Sequence, residues 1–327
     1  MKRAGWLAVA LAVIGGCSSS SSTATDMSVA ENPVDRGRYL VNNVGACGFC
    51  HTPINPDGSR DTTRLLSGIE CLGDFDPTND MVGCIHTRNL TNDATGLKNA
   101  TNEQIKNAFR NGMRTDGKVM SPVMPYWLFH NMTDADADAI VAYLRTVPGV
   151  AHTVPANQPP FDPPPAVPAT PIDPSMIPSP PTSHPQYAAA MRGRYLTAQV
   201  GLCIDCHTPD ANPPDLSKML IDISRPFAGG RMFFPEQLGY TSPPYPAMIF
   251  TANLTQDATG LLGWTLDQIK TAFKQGKDRD GKSVCAATHG LTTSPYAGLT
   301  DTDVNDIATY ISTIPAIANA RMDCVGP

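Results

Sequence analysis

The sequence is short of charge and has no long apolar run. Charged residues make up 17% of its 327 positions, with a net charge of −6. Nothing in it forms a basic stripe, which excludes a nucleic-acid surface, and the mild acidity is compatible with a basic redox partner. The apolar run at the N-terminus, Trp6 to Ile14, is too short to span a bilayer. Histidine is scarce, at seven, so each one can be weighed singly. Cysteine and proline are the types in supply, at 9 and 31. At this length the chain has room for two domains, each with an ordinary core.

Lys2 and Arg3 precede the apolar run, in the pattern of a secretory signal. It ends in Ile14-Gly15-Gly16-Cys17, which resembles a bacterial lipobox. The resemblance implies cleavage before Cys17 and lipidation of its thiol and new amino group. The alternative is an ordinary signal peptide with an incidental cysteine. Several acyl chains anchor firmly where one is marginal. Ser18 rather than aspartate after the cysteine implies, by the same analogy, the outer membrane. Residues 1–17 are thus expected to be signal and lipobox, and the polar stretch within 18–32 a flexible tether.

Two copies of C-x-x-C-H follow: Cys47-Gly48-Phe49-Cys50-His51 and Cys203-Ile204-Asp205-Cys206-His207. Two cysteines at this spacing form thioethers to the vinyl groups of haem, and the adjacent histidine is placed to ligate the iron. Two covalently bound haem c groups are expected. The competing reading is a pair of zinc or redox C-x-x-C sites. With Cys17 and these four set aside, Cys71, Cys84, Cys285 and Cys324 remain. Four cysteines allow three pairings. Pairing within each half, Cys71–Cys84 and Cys285–Cys324, is the natural one in an exported, oxidising compartment. Thiolate metal ligation is the alternative.

The second half repeats the first. Arg36-Gly37-Arg38-Tyr39-Leu40 returns as Arg192-Gly193-Arg194-Tyr195-Leu196, and Asn89-Leu90-Thr91 as Asn253-Leu254-Thr255. Thr95-Gly96-Leu97 returns as Thr259-Gly260-Leu261, and Asp116-Gly117-Lys118 as Asp280-Gly281-Lys282. Each copy reads as helices joined by long loops, an all-α pattern. A first helix, about Val34 to Val44 and about Gln186 to Val200, runs into each motif. Thr101 with Gln104, and Thr265 with Gln268, form capping-box patterns ahead of apolar stripes. Terminal helices follow Thr133 and Thr300, with Ile140, Tyr143, Leu144 and Val147 at helical spacing in the first. The boundaries are then 33–148 for the first domain, 149–185 for a proline-rich linker and 186–327 for the second domain. Such a linker is either a semi-rigid spacer or a strap around the surface.

Met120-Ser121-Pro122-Val123-Met124-Pro125-Tyr126 resembles the ligand loop of the cytochrome c subunits of membrane-bound alcohol and gluconate dehydrogenases. In that family a Pro-x-Met-Pro-Tyr stretch follows Asp-Gly and precedes a Thr-Asp helix start. Here the order is Asp116-Gly117, Met124-Pro125-Tyr126, Thr133-Asp134, and the likeness reaches back to Arg36-Gly37-Arg38-Tyr39-Leu40. It covers most of both halves and implies two tandem class I cytochrome c-like domains. It also implies Met124 as distal ligand opposite His51, with Met120 the alternative. The carbonyls of Pro53 and Pro209, shortly after each motif, are by analogy acceptors for the rings of His51 and His207.

The second half departs from this pattern. No methionine lies between Gly281 and Tyr296, and His289 falls within one position of the Met124 register. His289 is therefore the expected sixth ligand opposite His207. An open or water-ligated iron, Cys285, Met232 and Met248 are the alternatives. A His/Met pair raises the potential and a His/His pair lowers it, so the two sites are expected to differ. His86 has Phe250 as its counterpart in the repeat, which argues against a shared haem role; His130 is read as structural, and His152 and His184 as exposed linker residues. Asn89 and Asn253 either bond haem propionates or cap a turn.

The function expected is one-electron transfer between donor and acceptor redox proteins, at a membrane through Cys17. The rival is a haem enzyme, peroxidase-like, with an open iron in the second half. The dehydrogenase subunits typically carry three motifs where this chain has two. The resemblance thus implies electron transfer more firmly than a place in alcohol or sugar-acid oxidation.

Overall fold

A computed structural model describes Met1 and residues 32–56, 59–72, 83–213, 215, 217–233, 248–284, 289 and 294–319. The signal and lipobox with Cys17, the tether, and the Cys285 and Cys324 pair lie outside the described residues. Met1–Glu31 is a unit of its own, and Asn32–Pro327 is a second compact unit. Among the described residues no helix is long and apolar enough to cross a membrane.

The larger unit is helical, and most of its elements occur twice. In the first half, α1 (Pro33–Tyr39) continues through a π-helical turn, Leu40–Val44, into the short α2 (Cys47–His51). Then come α3 (Asn102–Asn111), α4 (Tyr126–Phe129) and α5 (Asp134–Leu144). The second half runs α6 (Tyr187–Tyr195), a π-helical turn at Leu196–Val200, and α7 (Cys203–Cys206). A two-residue β1 (Met232–Phe233) pairs antiparallel with β2 (Ile249–Phe250), then α8 (Leu266–Gln275) and α9 (Asp301–Ile311) follow. Both capping boxes form: Thr101 accepts from Gln104 N–H and Thr265 from Gln268 N–H, and each glutamine side chain returns the bond.

In each half the first helix crosses the last at a glycine. A Cβ on Gly37 would lie 1.9 Å from the Ala139 carbonyl oxygen, and one on Gly193 would lie 2.0 Å from that of Asp306. Only hydrogen at Cα lets the backbones approach this closely. The crossings are flanked by ion pairs, Arg36 to Asp136 at 2.8 Å and Arg192 to Asp306 at 2.7 Å.

The halves meet through reciprocal contacts. Tyr39 of α1 donates its hydroxyl to Asp303 at the start of α9 and accepts from Thr300 N–H at 3.3 Å. Tyr195 of α6 donates to Asp136 at 2.7 Å and accepts from Thr133 N–H at 3.2 Å. Each tyrosine so completes the helix N-terminus of the other half. Between them the turns Val44-Gly45 and Val200-Gly201 come within van der Waals reach. One buried apolar cluster, from Leu40, Trp127 and Val141 to Ile204, Tyr310 and Ile311, is continuous across both halves.

The proline-rich segment is a strap. Phe161, Ala169, Ile172 and Ile177 are buried along it. Ala169 N–H donates to Tyr126 Oη at 2.8 Å, and Ile172 N–H to the Trp127 carbonyl at 3.0 Å. Further on, Arg194 donates to the carbonyls of Pro178 and Ile177, and Tyr310 Oη to that of Pro178 at 2.9 Å. A proline-rich segment has few N–H donors and forms no regular ladder, so its carbonyls are left to accept from side chains. Each buried large side chain contributes about 1.5–3 kcal/mol before entropy.

Candidate haem sites

Each motif occupies a single helical turn. Residues three and four apart lie on one helix face, so the two sulfurs share an edge and the histidine follows on the same side. Cys47, Cys50, Cys203 and Cys206 are all unpaired thiols, half-buried. Burial pushes Cys47 up to about 12, Cys50 up to about 11 and Cys203 up to about 12. Among the described residues no group of three or more His, Cys, Asp or Glu is arranged around a common ion. The remaining expected pair, Cys71–Cys84, is a disulfide with its Cα atoms 5.0 Å apart.

Both motif histidines are oriented alike. His51 Nδ1 is 2.8 Å from the Arg88 carbonyl and His207 Nδ1 is 2.8 Å from the Ala252 carbonyl. A carbonyl only accepts, so each Nδ1 carries the proton and Nε2 is left as the lone-pair donor. Burial lowers both pKa values, which favours the neutral, ligating ring. The acceptors are not the carbonyls of Pro53 and Pro209, as the family analogy implied. Those accept from Asp61 N–H and Asp222 N–H, each at 2.8 Å, and so close the loop after each motif. The ring instead reaches across to the segment before Asn-Leu-Thr.

That segment is itself fixed. Asn89 donates to Thr95 Oγ1 and to the Val150 carbonyl, and accepts from Thr91 N–H and hydroxyl. Asn253 makes the same set with Thr259, Ile317 and Thr255. Both amide protons and the oxygen are committed, so these asparagines cap turns rather than serve a propionate.

In the second half the residues converge on one cavity. The rings of His207 and His289 have centroids 6.0 Å apart and planes tilted by 34°. Two imidazoles that hold a first-row metal at about 2 Å each have centroids separated by roughly this distance, so the pair fits an iron between them. Tyr296 stacks on His289 at 5.7 Å and 25°, and Phe273 lies at 5.0 Å. The apolar setting, then His207, pulls the His289 pKa down to about 3. Cys203, Cys206, Leu261 and Ile269 line the same cavity. So do Phe49, Cys50, Val123 and Pro125 of the first half. The second site is thus walled in part by the first motif and its ligand loop.

Met124 sits half-buried in the turn that opens at Ser121, its N–H bonded to the Ser121 carbonyl at 3.1 Å. The Trp127 indole pins this loop through the Pro122 carbonyl at 2.9 Å. Met124, Met120 and Cys47 all pack against the main core.

Two arginines escaped sequence reasoning. Arg231 is buried, pairs with Asp205 inside the second motif and lies 2.9 Å from Asp210. Arg60 stacks over Phe49, the residue equivalent to Asp205, at 4.7 Å. The differing third motif residue was the available signal. His152, expected to be exposed, is held by the Ser67 carbonyl at 2.8 Å and by Glu70 at 3.3 Å. His184 is half-buried and accepts from Gln186 N–H at 3.1 Å. His130 bridges α3 through Asn111 at 2.9 Å, a structural role.

No protein-family model matches the chain. It is 28% identical over 295 residues to the fructose dehydrogenase cytochrome subunit of Gluconobacter japonicus, covering 88% of this chain and 54% of that protein. It is 28% identical over 298 residues to the cytochrome c subunit of the quinone alcohol dehydrogenase of Gluconacetobacter polyoxogenes, covering 87% of this chain and 56% of that protein. A diheme cytochrome c-type protein of Cereibacter sphaeroides is 33% identical over 116 residues, 36% of either chain. The chain spans about half the length of the dehydrogenase subunits it matches. It is a homologue of the cytochrome c subunits of bacterial alcohol and sugar dehydrogenases, which implies covalently bound haem c and electron transfer.

Proposed function

We propose that this chain is a dihaem cytochrome c of two class I-like halves, relaying single electrons between a donor and an acceptor redox protein. Cys47, Cys50 and His51 hold one haem with Met124 as distal ligand. Cys203, Cys206 and His207 hold the other with His289. When bound, each haem supplies a one-electron iron couple. The residues attach it, orient it and keep water out. Cys17, lipidated, tethers the protein on the periplasmic side of a membrane, the outer one by the serine that follows it.

The observation that carries this reading is the repeated motif in which each histidine donates Nδ1–H to a backbone carbonyl. That arrangement fixes the ring and directs Nε2 outward. Unlike distal residues, Met124 and His289, set the two sites at unlike potentials. The test is haem stoichiometry by pyridine haemochrome, followed by a redox titration. Two haems per chain and two resolved one-electron midpoints are expected. One haem per chain, or loss of neither haem when both cysteines of a motif become serine, overturns the reading.

A further inference from the structure

The two histidines in the second cavity are not held alike. His207 donates Nδ1–H to the Ala252 carbonyl at 2.8 Å. His289 Nδ1 is buried and has no hydrogen-bond partner among the described residues. Ligating histidines nearly always donate this second N–H, and losing the acceptor typically weakens a metal site by about 10- to 100-fold. With Nε2 committed to iron, Nδ1 must carry the proton, so ligated His289 is a buried, unsatisfied donor. A released ring is free of that constraint. Among the described residues the ring rests against Phe273, tilted by 49°, and stacks on Tyr296, and neither contact requires it to stay on the metal.

Tyr296 adds a second observation. It stands in the same cavity, against His289, and its hydroxyl has no hydrogen-bond partner among the described residues. Its counterpart Tyr126 spends its hydroxyl on Ala169 N–H of the strap. Among the described residues the Tyr296 hydroxyl is thus an uncommitted O–H donor beside His289.

We propose that His289 is an exchangeable ligand whose release opens the second site to small neutral ligands of ferrous iron, of the carbon monoxide class, with Tyr296 donating to the bound ligand. The exchange breaks one iron–nitrogen bond, forms one bond to the incoming ligand and moves no electron. The proposal rests on the reading of His289 as iron ligand. Met124 has no such weakness, because its loop is pinned through Trp127.

The experiment is a carbon monoxide titration of the reduced, full-length holoprotein, followed by visible and infrared spectra. In the unmodified chain about half of the haem absorbance should shift. In His289→Ala the same half should shift, with binding at least 10-fold faster because nothing needs displacing. Uptake in His289→Ala but none in the unmodified chain overturns the exchange and leaves the ligand reading standing. An oxidised His289→Ala spectrum that stays low-spin, with unchanged carbon monoxide behaviour, overturns the ligand reading itself. Uptake by both haems in His289→Ala, against one in the unmodified chain, places the original binding in the first half and overturns the proposal. Tyr296→Phe should shift the C–O stretching band, and an unmoved band removes Tyr296 from the site.

Discussion

Replacing Tyr39 and Tyr195 by phenylalanine tests whether the halves are held by the bonds each sends to the other. Each substitution deletes one donor to a carboxylate and one acceptor for a helix N-cap N–H. A hydrogen bond to a charged group is worth about 1.5–3 kcal/mol, and partial exposure of these sites reduces that to about 1–2 kcal/mol each. The two contacts share no partner, so the double variant should lose about 2–4 kcal/mol. Burial, reinforced by Asp303 and Asp136, raises both phenols from 10.0 to about 12. A group whose folded pKa is raised contributes fully below its unfolded value and loses that contribution as pH climbs through the folded one. The stability difference between unmodified and double-variant holoprotein, read by guanidinium unfolding, should be flat below pH 10 and shrink towards pH 12. A difference under about 0.5 kcal/mol, or one that persists unchanged at high pH, refutes the reasoning.

Gly193→Ala should lower the thermal midpoint. Its Cβ would meet the Asp306 carbonyl at 2.0 Å, and overpacking of about 1–3 kcal/mol outweighs the helix-propensity gain of up to about 1 kcal/mol. An unchanged midpoint would mean that α6 and α9 separate without cost. His289→Met should raise the second midpoint by at least roughly 60 mV, a tenfold change in the one-electron equilibrium. A titration in which both midpoints stay put removes His289 from the iron.

The helices and motifs were legible because their signals are local. Capping boxes at Thr101 and Thr265, apolar stripes ahead of Val147 and Ile314, and the five-residue motifs each act within one or two turns. The strap was not legible, because a proline-rich spacer and a proline-rich strap differ only in their partners, and this strap bonds through its own backbone carbonyls, to Arg194 and Tyr310. The same holds for the acceptors of His51 and His207. A backbone carbonyl has no side-chain signature, and the prolines nearest in sequence were already bonded to their own loops. Arg-Gly-Arg-Tyr-Leu was visible as a repeat, but its glycine serves the crossing within a half and its tyrosine the junction between halves. A one-dimensional pattern does not separate those duties.

The divergence of the two copies works in a consistent direction. At the third motif position the first half has Phe49 and the second has Asp205. Arg60 lies over Phe49 with no carboxylate partner among the described residues, and burial lowers its pKa. Arg231 faces two carboxylates, Asp205 and Asp210. Among the described residues, Arg60 thus sets one positive charge beside the first motif, and Arg231 with its two carboxylates sums to one negative charge beside the second. A haem iron gains positive charge on oxidation, so a nearby cation favours its reduced form and a nearby anion its oxidised form. The proposed distal ligands, methionine in the first half and histidine in the second, bias the sites in the same sense. Both differences fall on residues that line or border the shared cavity, where low dielectric strengthens them. On the proposed ligand sets, two copies of one template are therefore expected to differ in potential through side chains alone, on a scaffold whose crossings, caps and carbonyl acceptors stayed the same.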